Sequence, residues 1–246
     1  MCGSKGTLRP EMQAKASHHQ KERIQMINLL EHYIWNSLPE YGDFPTNPNL
    51  TKKVGTEGNF LPFYGNTTVF LLNEEVKQQL QSLQEELYAK AGWMLSQKLD
   101  PATFHMTLHD LANAPEQNED LTYRMADAAQ KATALLRQWE GQPPLRMRTT
   151  CLFNMVSTSI VLGLAPADAD SWNRLSAMYE AMEDVVRLGY AMTPHITMAY
   201  YRPGIYSQEA LWLLRNALHA VDIELELRIE DLVYQTFTDM NHYMTE

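Results

Sequence analysis

Two short segments of this chain, Phe104-His105-Met106-Thr107-Leu108 and Pro194-His195-Ile196-Thr197-Met198, set the same His-x-Thr between apolar neighbours ninety residues apart. On a β-strand successive side chains alternate between faces, so His105 and Thr107 share one face while Phe104, Met106 and Leu108 take the other. The second copy alternates identically. Each apolar face can enter a core, which leaves an imidazole and a hydroxyl directed together toward a cleft. A chain patterned in this way is constrained to bring two motif strands to one site from two related halves. With eight histidines present, bare His-x-Thr triplets carry little weight. Requiring an apolar residue on both sides of the Thr lowers the number expected by chance to roughly 0.1.

The surroundings of the two copies also match. Thr67 to Leu72 reads as a strand, Glu74 to Ala91 as a helix, Trp93 to Leu95 as a short strand and Phe104 to Leu108 as the first motif strand. A loop at Asn113 to Asp120 leads to a helix over Leu121 to Trp139. After the break at Gly141-Gln142-Pro143-Pro144 comes a hairpin within Arg146 to Leu164, then a helix over Ala167 to Leu188 with Gly189 as its C-cap. The second motif strand spans His195 to Tyr201, Ser207 caps a helix over Gln208 to Ala220, and Ile223 to Phe237 holds one or two strands. The expected fold is therefore α/β of the α+β kind, bilobal and pseudo-duplicated, with two antiparallel sheets facing a central groove and helices outside. Residues 1–58 are expected to form an N-terminal extension, with a helix over Ser17 to Leu38 and then a turn-rich loop. Residues 59–246 carry both motifs, and the lobes mix the two halves of the sequence.

Composition narrows the function. Cys2 and Cys151 give neither a disulfide framework nor a CxxC metal knuckle, and Cys151 sits in an apolar run that reads as core. No run of about eighteen apolar residues appears, and the polar start lacks a secretory pattern, so a cytoplasmic location without membrane contact is expected. The net charge of −10 opposes broad binding to duplex nucleic acid, which draws its affinity from many Lys and Arg contacts to phosphates. A terminal phosphate in a focused pocket is compatible with it.

Two imidazoles flanking one phosphate form an acid–base device: one takes a proton from an attacking hydroxyl or water, and the other protonates the leaving oxygen. The paired Thr hydroxyls can donate to non-bridging phosphate oxygens. The tandem His-x-Thr motifs, their separation and the proline directly before the second histidine resemble the 2H phosphoesterase superfamily, which includes cyclic phosphodiesterases and 2′-5′ RNA ligase-like proteins. The resemblance covers roughly Asn59 to Tyr243. It implies phosphoester chemistry without a metal or cofactor on a small nucleotide or an RNA end, such as a 2′,3′-cyclic phosphate or a 2′-5′ linkage. It also implies His105 and His195 as the catalytic pair and Thr107 and Thr197 as phosphate binders. Members with RNA-related activities often carry a basic residue five positions after the second histidine. Tyr200 stands there in this chain, with Arg202 two residues on.

Further substrate contacts are sought at His109, which continues the face of His105 and Thr107, and at Tyr201, on the face of Thr197. Arg202 is a third candidate. Tyr64, with Phe60 and Phe63, lies in a turn-rich stretch where a nucleobase wall can form, although core or loop packing is the favoured account of these rings. Two alternatives stand beside the enzyme reading. One is a binding module that holds a nucleotide or phosphate in the same groove without turnover. The other is a zinc site of His105, His109 and His195, which lacks a matching carboxylate or Cys and leaves the threonines unexplained. Base preference and oligomeric state are not encoded in these patterns.

Overall fold

The computed structural model describes residues 37–246. The helix expected over Ser17 to Leu38 lies outside the described residues except for Ser37 and Leu38, which form a turn. Ten strands and four α-helices follow among the described residues. The strands are β1 (Phe44–Pro45), β2 (Tyr64–Leu71), β3 (His105–Ala114), β4 (Leu145–Met155), β5 (Ser159–Pro166), β6 (His195–Tyr200), β7 (Ile205–Tyr206), β8 (Glu224–Leu227), β9 (Leu232–Asp239) and β10 (His242–Thr245). The helices are α1 (Glu74–Ala91), α2 (Glu119–Trp139), α3 (Ala169–Glu183) and α4 (Gln208–Ala217). Each helix begins at a side-chain cap that satisfies an orphaned amide: Asn73, Asn118, Asp168 and Ser207 in turn.

Eight strands form one antiparallel sheet in the order β10-β9-β2-β3-β6-β5-β4-β8, and β1 pairs with β7 beside it. The two expected sheets are the four-stranded halves of this sheet, on either side of β3 and β6. That junction is thin, with a single cross-strand pair, Met106 opposite Ile196, and both side chains are fully buried. The duplication is visible in the order of elements, because β2-α1-β3-α2 is repeated as β5-α3-β6-α4. The strands outside the two repeats extend the sheet on both sides. β4, after α2, pairs with β5, and β9, after α4, pairs with β2. The half built on β2 and β3 is thus completed by β9 and β10 from the end of the chain, whereas β4, β5, β6 and β8 all follow the 141–144 break.

Alternation of apolar side chains gives the strands their core face, and bulges shape the groove. On β3, Thr107 faces Val69 while His109 faces Thr68, which leaves Leu108 as an extra residue. On β6, Thr197 faces Val161 while Ala199 faces Ile160, which leaves Met198 as the extra residue. Both bulges fall three residues after the motif histidine. Such insertions bend a strand and increase its local twist. The backbone groups they disturb are repaired by side chains: the Thr67 and Thr68 hydroxyls donate to the His109 carbonyl, and Gln84 Nε2 of α1 donates to the Met198 carbonyl. A further irregularity sets Leu111 and Ala112 against Asn66 alone. There Asn66 Oδ1 accepts the Ala112 N–H at 2.8 Å, and its Nδ2 donates to the Met125 carbonyl and the Tyr234 hydroxyl, both at 3.0 Å.

Three local expectations are corrected. Trp93 to Leu95 is not a strand; Gly92–Met94 is a 3-10 turn that continues from α1, and Leu95 makes only an isolated bridge to Tyr201. The helix expected as far as Leu188 ends at Glu183, whose carboxylate accepts the N–H groups of Leu188 and Gly189 and so turns the chain. Gly189, at φ +76°, lies in that turn and does not directly follow the helix. The first motif strand runs on to Ala114, and β10 was not anticipated.

Segment 37–63 packs into the same core as the rest. Leu38, Phe44, Leu50, Val54 and Phe63 are buried with the strands. Asn47 clamps the β4–β5 turn: its amide donates to the Ser157 carbonyl and its Nδ2 to the Val156 carbonyl. Val156 and Ser157 there both have positive φ, 43° and 59°, a conformation that costs on the order of 1–3 kcal/mol for such residues and persists only when neighbours fix it. Among the described residues no helix is long and apolar enough to cross a membrane.

Replacing Asn66 by Ala removes three buried hydrogen bonds and strands the Ala112 N–H. The expected loss is on the order of 3 kcal/mol, read as a lower urea midpoint with an unchanged slope.

Candidate active site

The junction of β3 and β6 places the motifs. One residue to either side of the Met106–Ile196 pair, the antiparallel register sets His105 across from Thr197 and Thr107 across from His195. Each histidine therefore faces the threonine of the other motif, about a local pseudo-twofold axis. Met106, Leu108, Ile196 and Met198 are buried behind them, and His105, Thr107, His195 and Thr197 all line one cavity of about 620 Å³.

The two imidazoles are held alike. His105 Nδ1 lies 2.7 Å from the Thr103 carbonyl and His195 Nδ1 lies 2.6 Å from the Thr193 carbonyl. A carbonyl can only accept, so Nδ1 carries the proton in both rings and Nε2 is left with its lone pair. Neither Nε2 has a hydrogen-bond partner among the described residues. Burial pushes the His105 pKa down to about 4, with its Thr103 hydrogen bond and Asp110 opposing the shift and His195 adding to it. Burial lowers His195 as well, against its Thr193 bond and Asp110. Both rings are accordingly neutral at pH 7 before an anion enters.

Thr103 and Thr193 were missed in reading the sequence, although the signal is present, since both motifs are Thr-x-His-x-Thr. Lys53 was also missed. It lies in the turn-rich stretch, yet it lines the cavity, with Nζ 4.7 Å from the centre of the Phe63 ring. Burial lowers its pKa, and Asp110 partly offsets that. Nothing local in the sequence marks Lys53, because only the tertiary path of segment 37–63 brings it there.

The bulges decide the remaining candidates. Without them His109 and Tyr201 continue the motif faces; with them, the positions five after each histidine, Asp110 and Tyr200, take over. Asp110 is exposed opposite Thr67, and Tyr200 lines the cavity with its ring edge-on to Phe60 and its hydroxyl 3.2 Å from Met240 Sδ. His109 touches the cavity wall, but both ring nitrogens are engaged, Nδ1 by the Asp110 carbonyl at 2.6 Å and Nε2 by Glu183 Oε1 at 3.1 Å. Through Glu183 it braces the loop after α3, which carries Tyr190; Tyr179 supports the same loop by donating to the Tyr190 carbonyl at 2.8 Å.

Three expected contacts are not on the cavity wall. Tyr201 is fully buried against Phe44, ring centres 5.2 Å apart, because the Met198 bulge turns it inward. Tyr64 pairs with Ala114, at the end of β2 remote from the Leu71–His105 row. Arg202 is drawn away, donating to the Glu57 carbonyl. Phe63 stacks on Phe237 within the core. Among the described residues no group of three or more His, Cys, Asp or Glu side chains is arranged to hold a metal ion, so the weighed trio of His105, His109 and His195 does not converge.

The Tyr201 hydroxyl is buried without a hydrogen-bond partner. Tyr201→Phe is therefore expected to raise stability by about 1 kcal/mol and to leave ligand binding unchanged, as measured by thermal melting and calorimetric titration.

No protein-family model matches the sequence, and no curated protein matches it. Among solved structures, the chain is similar to the conserved protein ATU0111 of Agrobacterium tumefaciens strain C58, with a TM-score of 0.63 and 18% identity over 87% of this chain and 97% of that one. It is also similar to Escherichia coli LigT, solved with 3′-AMP, at a TM-score of 0.45 and 12% identity over 75% of this chain and 95% of LigT. A third is a protein described as a phosphoesterase, at 0.42 and 13% over 74% and 95%. The chain shares its fold with ATU0111.

Proposed function

We propose that this protein is a phosphodiesterase that uses His105 and His195 as an acid–base pair, without a metal, on a nucleotide or RNA-end phosphoester. The observation that supports it best is the mirrored imidazole pair: both Nδ1 protons are fixed on backbone carbonyls, and both Nε2 atoms open into one cavity beside two threonine hydroxyls. In the bound complex one Nε2 removes a proton from water or a ribose hydroxyl as the O–P bond forms. The other, as the imidazolium, gives its proton to the departing oxygen as the second O–P bond breaks. Thr107, Thr197 and Lys53 hold the non-bridging oxygens, where charge builds up. The reading of this chain as a phosphodiesterase, and its substrate class, rest on these residues.

The phosphate anion is itself part of the acid. Both histidines are neutral in the empty site, and a bound anion favours protonation of one of them, so substrate binding near neutral pH is expected to take up a proton. This is measurable as a dependence of the binding enthalpy on the ionisation heat of the buffer.

The panel to test is 2′,3′-cyclic nucleotides, 3′,5′-cyclic nucleotides and 2′-5′-linked dinucleotides, assayed with chelator present. Turnover of one class is expected, with a loss of 10²–10⁴-fold in His105→Ala and in His195→Ala. No turnover of any class by the wild-type protein, with nucleotide binding intact, favours a binding module. Catalysis needs one neutral and one protonated histidine, and both pKa values are depressed below 6.5. Hence kcat/KM is expected to rise as pH falls from 8 toward 6, and a profile flat across that range contradicts the mechanism. Stability works in the opposite direction: unfolded histidines bind protons more readily than these two, so it declines as pH drops from 6.5 toward 4. Lys53→Met is expected to lower kcat/KM roughly ten- to a hundredfold, the worth of one charged hydrogen bond, without lowering the melting temperature.

A further inference from the structure

The acid–base scheme leaves one charged group of the cavity unused. Asp110 is the one carboxylate among the described residues lining it, and it is exposed there. The Leu108 bulge sets it opposite Thr67 on the motif face. Its carboxylate has no hydrogen bond or ion pair with a described residue. It shares the cavity wall with Lys53, both histidines and the rings of Tyr179, Tyr190, Tyr200 and Tyr243, and its charge acts on each of them. An unpaired carboxylate beside a phosphate site repels the phosphate. The arrangement becomes favourable when a donor on the same ligand meets it, because an ionised carboxylate only accepts hydrogen bonds. The surrounding tyrosine rings suit a flat or cationic group at that point.

We propose that Asp110 is a specificity-determining residue that accepts a hydrogen bond from an N–H group on the organic arm of the phosphoester, so that amino-bearing ligands are preferred over matched ligands lacking the amino group. The inference rests on the phosphoester reading above. The position of Asp110 gives the selection its direction: a carbonyl in place of the amine sets two acceptors against each other, and a site built to bond a donor rejects the analogue without it. The donor has two plausible chemical sources, the exocyclic amine of a nucleobase and an alkylammonium group.

The test is calorimetric titration of the full chain at fixed pH and salt with cytidine and uridine 3′-monophosphates, which differ by amine against carbonyl at one ring position. Phosphoethanolamine against ethyl phosphate forms the second arm, and inorganic phosphate is the control. In one of the two arms the amino-bearing ligand is expected to bind ten- to a hundredfold more tightly. In Asp110→Asn, which keeps shape and removes the charge, that ratio should collapse toward one while inorganic phosphate binds at least as well. The arm in which the preference appears identifies the source. If phosphate binds and neither arm shows a preference in the wild-type protein, the proposal is overturned and the phosphoester reading stands. A preference that survives Asp110→Asn also overturns it. If neither phosphate nor any phosphoester binds, the phosphoester reading fails and takes this inference with it.

Discussion

The contact on which the site depends is the single cross-strand pair between Met106 and Ile196. His105, Thr107, His195 and Thr197 each lie next to it in sequence. A longer β3–β6 ladder flattens the sheet and spreads the motif side chains across a plane. A single pair with buried apolar side chains behind it lets the two halves splay, so the four motif residues border a cavity. The bulges after Thr107 and Thr197 extend the same geometry. They end regular alternation just beyond the motifs and curl the strands, with their disturbed carbonyls taken by Thr67, Thr68 and Gln84. Such repair is what makes an irregular strand affordable in a buried setting.

Symmetry of the frame does not extend to the lining. The motif histidines share a tautomer, a backbone partner and a facing threonine, yet the fifth position after each differs, Asp110 in one half and Tyr200 in the other. Lys53 has no counterpart of its own kind on the cavity wall. A twofold frame gives two chemically equivalent histidines, and these unlike neighbours are what can assign them unlike roles. Asp110 favours positive charge on both histidines, and Lys53 adds a cation to the cavity wall.

Much of this was legible in the sequence wherever information is local. Helix α1 falls at Glu74–Ala91 as its periodicity predicts, and both motif strands begin at their histidines within one residue. The pairing of His105 with His195 followed from the repeated pattern alone. What could not be read depends on partners. A bulge is a mismatch between two strands, so the sequence of one strand cannot reveal that His109 and Tyr201 yield their places to Asp110 and Tyr200. Lys53 sits in a stretch marked only by turn residues, and its arrival in the cavity depends on how that stretch packs. The Thr at the start of each motif was visible but uninformative until the structure showed that its backbone carbonyl, not its side chain, performs the task.

The pairing of β9 with β2 has a consequence for how this protein comes to be folded. A chain cut at the Gly141-Gln142-Pro143-Pro144 break gives an N-terminal fragment that lacks the β9 and β10 its half of the sheet requires, and a C-terminal fragment that carries them beside four strands of its own half. The first repeat cannot complete its half alone, and the β9 that pairs with β2 is the next-to-last strand made. During synthesis β2 therefore waits, with one edge unpaired, for about 160 residues of chain to follow it. Long-range pairing of this kind favours slow, all-or-none assembly over stepwise accretion of lobes. The first repeat is therefore not a separable unit, because its sheet is finished by the end of the chain.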